Sequence, residues 1–246
     1  MKWILTVLGW SLLSISVSGQ NRNNSSRNLF LDYTGTIGSS QATIAGSIVH
    51  NWKIGKSQKI EAGVGLRKTL YWGRKKDFLT AGPANKTRTS TTPFLIFFAG
   101  QQEQNFDTLT VQRPLIFSIN LTINLGYNLS PKWYAGFNID LIGFSFGRKG
   151  SGIFTSNGIT TIEPKARPKS FNLLLTGDHD RGTLNSEFFV KYNLDHRWAL
   201  KGVYQFIFVE YETETSKQIF SDGSSNLRFR NKANNFGLGI AYHIKK

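Results

Sequence analysis

The segment from Leu115 to Leu129 alternates between apolar and polar side chains along its whole length. Every second residue is apolar, and the residues between them are mostly small or polar. A period of two predicts an extended strand with one apolar face and one polar face. Strands of soluble proteins usually contain about 5–6 residues, whereas a tilted strand that crosses a bilayer needs about 9–11. This strand is therefore long enough to span a membrane.

The same reasoning predicts eight strands in total. They are Leu29–Gly38, Gln41–Ile54, Lys59–Trp72, Pro114–Leu129, Lys132–Gly147, Leu184–Asp195, Arg197–Tyr211 and Asn234–Ile244. After the second strand, short turns alternate with three long links, which are Gly73–Arg113, Arg148–Thr183 and Glu212–Ala233. Short turns on one side and long loops on the other are typical of transmembrane β-barrels.

Aromatic residues lie near both ends of the predicted strands. One group lies beside the short turns and contains Trp52, Trp133, Tyr134 and Trp198. The other lies at the opposite strand ends and contains Tyr71, Trp72 and Tyr211. Two such belts are expected at the two interfaces of a membrane-spanning barrel.

Together these patterns make the chain resemble small outer-membrane β-barrel proteins of about eight strands, like those of Bacteroidota, over about residues 29–244. The resemblance rests on the pattern and on no sequence motif. It implies an all-β fold, namely a transmembrane antiparallel up-and-down β-barrel with short periplasmic turns and long extracellular loops.

The N-terminus predicts export. Residues 1–19 have the features of a signal peptide, because Lys2 precedes an apolar run from Trp3 to Val17 and cleavage is expected after Gly19. Residues 20–28 then form a short tail and residues 29–246 the barrel domain. The chain contains no cysteine, which excludes disulfides and thiolate metal sites. The expected location is the bacterial outer membrane.

The net charge of +15 predicts an anionic partner. Outer-membrane lipid and lipopolysaccharide suit the compartment, whereas nucleic acid, cofactors and metals are not expected. The predicted anion-binding residues of the loops are Arg74, Lys75, Lys76, Arg148, Lys149, Lys165, Arg167, Lys169, Arg228 and Arg230. Solvated loop charge, general contact with lipopolysaccharide and a dedicated ligand site are all compatible with this pattern.

If the apolar face of each strand points outward, eight charged side chains point into the lumen. They are Asp32, Lys53, Glu61, Arg67, Asp140, Glu187, Lys191 and Lys201. The interior of an eight-stranded barrel is just wide enough for side chains to fill, and buried charges must be paired. Four acids and four bases therefore predict a network that plugs the lumen, with a gated ion path or proton relay as the alternative.

Two apolar segments interrupt the polar links. Their residues are Phe94, Leu95, Ile96, Phe97, Phe98, Leu173, Leu174 and Leu175. They could pair as β-extensions above the membrane, form a patch that binds a partner protein, or add two membrane strands to make ten. An exposed apolar patch of this kind often marks an interaction surface.

Three functions follow from these features. The first is a non-enzymatic barrel that stabilises the envelope and presents basic loops to lipopolysaccharide or a partner protein. The second is a lipid A-modifying enzyme centred on His179, with Asp178, Asp180 and Ser186 nearby, since a catalytic triad is recognised by geometry and not by chain order. The third is an accessory subunit of a secretion or uptake complex that docks through the apolar segments.

Overall fold

The computed structural model describes residues 27–87, 100, 102–175 and 179–245. The strands within these ranges are β1 (Arg27–Gly38), β2 (Gln41–Ile54), β3 (Ile60–Gly73), β4 (Lys75–Thr80), β5 (Thr108–Gln112), β6 (Leu115–Asn128), β7 (Trp133–Gly147), β8 (Gly150–Ser156), β9 (Ile159–Pro168), β10 (Phe171–Leu173), β11 (Leu184–Asn193), β12 (Trp198–Glu212), β13 (Gln218–Ile219), β14 (Ser225–Asn226) and β15 (Arg228–Lys245). One helical turn spans Ala84–Thr87 and a 3-10 turn spans Glu103–Asn105. No helix in the described ranges has the length and apolar character needed to cross a membrane.

The eight pairings that involve the most residues join strands into a closed ring. The order around the ring is β1, β2, β3, β6, β7, β11, β12 and β15, and β15 pairs with β1 again. Every pairing in this long-strand ring is antiparallel. Each of its strands overlaps one of the strands that alternation predicts, and β2 has the predicted bounds.

Burial alternates along each strand of the long-strand ring. On β3, Glu61, Arg67 and Thr69 are buried, whereas Val64 and Leu66 between them are exposed. The other strands repeat this pattern, so polar side chains fill the inside and apolar side chains cover the outside. This arrangement is the reverse of a soluble protein, in which the apolar face of a sheet is buried.

The long links, which the sequence predicts as extracellular loops, are largely paired strands. β4, β5, β8 and β9 pair in this order, and they connect β15 to β12 at one end of the long-strand ring. Because β12 and β15 also pair with each other, these six strands close a second, smaller ring, here named the cap ring. With β10 the main sheet contains 13 strands in the described residues, and the prediction of eight is therefore too low.

An apolar core fills the cap ring. Its buried residues come from all six strands and from the adjacent ends of β3 and β6, and they are Tyr71, Phe78, Leu109, Val111, Ile116, Phe154, Ala166, Ile207, Val209, Tyr211 and Phe229. The cap ring therefore has an apolar interior, in contrast to the polar interior of the long-strand ring. This core explains why the links pair, since each short strand buries its alternate apolar residues against the others.

The two ends of the long-strand ring differ. The turns after β2, β6 and β11 lie at the end opposite the cap ring, whereas the two-residue turn Ser39–Ser40 lies at the cap end. Ser40 has a φ of 60°, which lets two residues connect β1 and β2. The N–H of Arg74 donates to the carbonyl of Ser40, and Lys76 Nζ donates to the carbonyl of Ser39. These bonds hold the start of β4 over the first turn.

Candidate functional site

Five of the predicted interior charges form one continuous ion chain. Arg67 Nη2 lies 2.6 Å from Asp140 Oδ1, and Arg67 Nη1 lies 3.1 Å from Glu187 Oε1. Lys201 Nζ lies 2.9 Å from Glu187 Oε2 and 2.9 Å from Asp32 Oδ2. All five side chains are buried. The chain crosses the interior, because its members come from β1, β3, β7, β11 and β12.

Glu61 lies nearer the short turns and binds neutral groups. Its carboxylate accepts hydrogen bonds from Asn28 Nδ2 at 2.9 Å, from Asn128 Nδ2 at 3.0 Å and from the Tyr134 hydroxyl at 3.3 Å. Asn51 Nδ2 donates to the same carboxylate at 3.3 Å. Hydrogen bonds of this kind can satisfy a buried carboxylate without a cation.

The ammonium group of Lys191 lies among aromatic rings. Its Nζ is 3.6 Å from the ring centroid of Phe30, 4.5 Å from that of Tyr134 and 5.4 Å from that of Phe189. A cation over aromatic faces is stabilised by their quadrupoles. Lys53, the last predicted interior charge, is only half-buried, and no ion pair joins it to another described residue.

Amide and hydroxyl groups fill the interior between the ion chain and the cap ring. Gln205 Oε1 accepts hydrogen bonds from Thr36 Oγ1 at 2.7 Å and from Asn235 Nδ2 at 2.8 Å. Gln41 Nε2 donates to Asn235 Oδ1 at 2.9 Å, and the Tyr71 hydroxyl donates to Gln41 Oε1 at 3.2 Å. Tyr71 also belongs to the apolar core, so this layer joins the polar interior to the cap.

The predicted anion-binding residues lie at the cap end, but acidic residues already bind several of them. Arg167 Nε and Lys169 Nζ both bind Glu212, at 2.8 Å and 2.6 Å, and Lys165 Nζ lies 3.2 Å from Glu214. Four of the predicted residues are exposed and form no ion pair with another described residue, namely Arg74, Lys75, Arg148 and Lys149. Burial lowers the pKa of Lys76, the remaining predicted anion-binding residue of the first link.

Arg228 and Arg230 differ most from the prediction. Both lie on β15 and not in a loop, because β15 begins six residues before the predicted strand start, Asn234. Arg228 Nε lies 2.7 Å and Arg230 Nη2 2.9 Å from the buried carboxylate of Glu210. The guanidinium of Arg230 is 4.7 Å from the ring centroid of Phe208. These arginines fix the outer face of β12 against β15.

The partner patch is described only in part, since Phe94–Phe98 lie outside the described residues. β10, which contains Leu173, pairs with β7, so this apolar segment is a β-extension at the cap end. Leu174 is half-buried and Leu175 is exposed. His179 is exposed, and the hydroxyl of Ser186 donates to the carbonyl of Phe206 at 3.4 Å. Asp178 lies outside the described residues, so the hydrolase hypothesis stays a prediction.

Glu163 on β9 fixes the link between β12 and β13. Burial alone would raise the pKa of its carboxyl, but hydrogen bonds from the N–H groups of Ser216, Lys165 and Thr215 and from the Thr215 hydroxyl lower it to about 2. The bonds from the Ser216 and Thr215 N–H groups are 2.6 Å and 3.1 Å long. This carboxylate has a structural role in the cap ring.

Two cavities on the outer wall of β15 were not predicted. The lower one has a volume of about 430 Å³ and is apolar, with walls that include Gly35, Ile37, Ile44, Trp72, Phe236 and Leu238. The upper one has a volume of about 330 Å³ and contains both apolar and polar groups, with a lining that includes Asp77, Leu79, Phe106, Arg230, Asn231 and Lys232. One residue of the sequence could have indicated the lower cavity. Gly35 has no side chain and lies on the otherwise apolar outer face of β1.

No family model and no curated protein matches this chain. Solved structures similar to it include Neisserial surface protein A, with 7% identity over 89% of this chain and 97% of that chain and a TM-score of 0.37. Ail of Yersinia pestis, in complex with the heparin analogue sucrose octasulfate, has 9% identity over 89% and 97% and a TM-score of 0.32. The toluene transporter TodX of P. putida has 7% identity over 90% and 79% and a TM-score of 0.26. These scores are too low to assign a function.

Proposed function

We propose that this chain is an integral outer-membrane β-barrel protein whose long-strand ring crosses the bilayer as eight strands. One observation supports this proposal most directly: a closed ring of strands has a polar buried interior and an exposed apolar exterior. A closed ring satisfies every backbone hydrogen bond inside lipid, which an open sheet cannot do. In water, so large an apolar surface would drive aggregation.

The height of the apolar exterior agrees with a bilayer. On β6 the outward apolar positions extend from Phe117 to Tyr127, a separation of ten residues and hence roughly 34 Å along the strand. At a tilt of about 40° this gives a band of roughly 26 Å, close to the ≈ 25 Å band of transmembrane barrels. The exposed residues Trp52, Trp133 and Trp198 mark one edge of this band and Trp72 the other.

The proposed orientation places the short turns in the periplasm and the cap ring outside the cell. Chains that enter the membrane from the periplasm have short turns there and longer connections outside. In this orientation the exposed cations Arg74, Lys75 and Lys149 lie above the outer leaflet, where they can bind the phosphates of lipopolysaccharide.

Its proposed role is structural and not catalytic. The ion chain and the cap core both obstruct the interior, so the barrel is a rigid anchor without a diffusion path and presents an ordered, basic cap to lipopolysaccharide or to a partner protein. The ion pairs within the interior and the apolar packing within the cap support this role, since both favour one fixed conformation.

Gel mobility with and without heating tests the proposal. Outer-membrane barrels stay folded in SDS and change mobility only after boiling. We expect a heat-dependent mobility shift for the protein isolated from membranes, together with a β-type circular dichroism spectrum before boiling. A chain that stays soluble without detergent and shows no shift would contradict the membrane location.

A further inference from the structure

The two outer-wall cavities lie on one face of β15. Side chains at even positions of β15 point outward, so Arg230, Lys232, Phe236 and Leu238 follow one another along the same face. We propose that the two cavities form one site for a phosphorylated glycolipid of the outer leaflet, with an acyl chain in the lower cavity and the phosphorylated sugar in the upper cavity. This inference rests on the proposed outer-membrane location.

The lower cavity is shaped for an acyl chain. A Cβ atom at Gly35 would meet no atom within 4 Å, so the missing side chain leaves open space on the outer wall. Ile37, Phe236 and Leu238 surround this space and are 72%, 69% and 76% exposed. An open apolar depression about 430 Å³ in volume offers one lipid chain more contact than the neighbouring wall does.

The upper cavity offers cations and hydrogen-bonding groups. Lys232 is exposed, and Arg230 is 4% exposed with an Nε atom that makes no hydrogen bond within the described residues. Asn231 Oδ1 makes no hydrogen bond there either. Asp77 also lines the cavity, and its Oδ1 already accepts a hydrogen bond from Thr110 Oγ1 at 2.6 Å. Lys232 supplies an exposed cation and Asn231 an amide oxygen for a phosphate and adjacent sugar hydroxyls, whereas Arg230, whose Nη2 binds Glu210 at 2.9 Å, supplies only its Nε–H group.

The spacing of the two cavities fits an amphiphile at the membrane interface. Trp72 lines the lower cavity at the cap end of the apolar band, where tryptophan marks the boundary between chains and headgroups. Lys232 lies four residues before Phe236 on β15, roughly 13 Å away along the strand. A headgroup at Lys232 would therefore lie above the interface while its chain lies below it.

Native mass spectrometry of the membrane-isolated protein in detergent tests this site. Diphosphoryl lipid A, its dephosphorylated form and phosphatidylglycerol would be added separately as probes. We expect one molecule of diphosphoryl lipid A to bind at least roughly tenfold more tightly than either other lipid, because only this probe supplies both the phosphates and the sugar. Equal binding of phosphatidylglycerol would overturn the proposal in favour of general lipid contact.

Two pairs of variants locate the binding. Gly35→Leu fills the lower cavity, whereas Gly202→Leu adds the same side chain on the outer wall, where a Cβ also meets no atom within 4 Å but no wall of the cavity is formed. Lys232→Gln removes a cation from the upper cavity, whereas Lys56→Gln removes an exposed cation from the short turn after β2, at the opposite end of the long-strand ring. We expect Gly35→Leu and Lys232→Gln each to weaken binding roughly tenfold and their controls to leave it unchanged.

A variant that lacks the heat-dependent mobility shift does not fold. If Gly35→Leu does not fold, Gly35→Val replaces it, because valine has the smaller side chain. Wild-type protein without that shift would refute the proposed function itself. Folded variants that bind diphosphoryl lipid A as the wild type does would refute only the outer-wall site.

Discussion

At the scale of single residues, Glu187 holds the interior together because its two carboxylate oxygens bind two different cations. Arg67 and Lys201 lie 3.1 Å and 2.9 Å from these oxygens. The remaining acids of the ion chain, Asp140 and Asp32, each bind only one of the two cations. Removing the charge of Glu187 would therefore leave Arg67 paired only with Asp140 and Lys201 only with Asp32, and would break the contacts that join these two buried pairs.

We expect Glu187→Gln to lower the free energy of unfolding by about 3 kcal/mol, in the range for breaking one partner of a buried ion pair. Glu212→Gln is the control, because Glu212 binds the partly exposed Arg167 and Lys169 and should change stability by less than about 1 kcal/mol. Urea unfolding of the protein in lipid vesicles measures both values. Similar values for the two variants would show that the ion chain contributes little.

The low pKa of Glu163 predicts that the stability of one link in the cap ring depends on pH. Its pKa in the folded protein is about 2, against 4.5 for an unperturbed glutamate. Since the folded state has the lower pKa, the carboxylate stabilises the link above about pH 4.5, and this contribution is lost as the pH falls towards 2.

The N–H chemical shifts of Thr215 and Ser216, followed by NMR in micelles, should titrate with a midpoint near pH 2. The same shifts in Glu163→Gln should stay constant over this range, because no carboxyl remains to titrate. A midpoint near 4.5 in the wild type would mean that the hydrogen bonds to Glu163 are absent in solution.

At the scale of strands, the cap depends on apolar packing between elements that are distant in sequence. Leu109 on β5 is fully buried in the cap core, and Phe78, Phe154 and Phe229 in the same core belong to β4, β8 and β15. The long-strand ring does not use Leu109, so a cavity at this position should loosen the cap alone.

Leu109→Ala should therefore destabilise the cap by about 3 kcal/mol, in the usual range for a buried leucine. We expect faster proteolysis of the cap in folded protein and an unchanged heat-dependent mobility shift. Ile162→Ala on β9 is the control, since Ile162 is 76% exposed and its loss should leave proteolysis unchanged. Loss of the mobility shift in Leu109→Ala would mean that cap and long-strand ring fold as one unit.

The sequence predicts the long strands well because alternation over many residues specifies both the strand and its two faces. The same alternation identified Arg67, Asp140, Glu187 and Lys201 as inward-facing, and the structure joins these four with Asp32 in one chain. The role of these residues in blocking the lumen stays a proposal.

The cap strands were not predicted from the sequence, and the reason is physical. β4 and β5 contain only six and five residues, so their alternation is short, and β4 finds its partner about 150 residues later, where Thr80 pairs with Phe229. A sequence shows which residues can form a strand but not which distant strand completes it. The outer-wall cavities escaped for a related reason, because open space at Gly35 depends on side chains from neighbouring strands.

At the scale of the whole molecule, the long-strand ring and the cap ring have different interiors, and we propose that each acts as a barrier. The interior of the long-strand ring contains charged and amide side chains that bind one another, together with buried apolar residues such as Phe30, Phe189 and Val203. The cap ring above it is filled with apolar side chains. Water and ions would have to displace ion pairs in the first barrier and hydrate an apolar core in the second, so either barrier alone should prevent conduction.

Electrical recording in planar bilayers checks this proposal. Leu109→Ser with Phe154→Ser opens the cap core, and replacement of Arg67, Asp140, Glu187 and Lys201 by Ala removes four of the five members of the ion chain without changing net charge. We expect no channels from the wild type or from either variant alone, and stepwise currents only from the combined variant, with folding verified by the mobility shift.

Channels from the wild type would mean that a hydrated path passes both barriers. Channels from the cap variant alone would mean that the interior charges conduct ions and that the apolar core is the only seal, which would turn the rigid anchor into a gated pore.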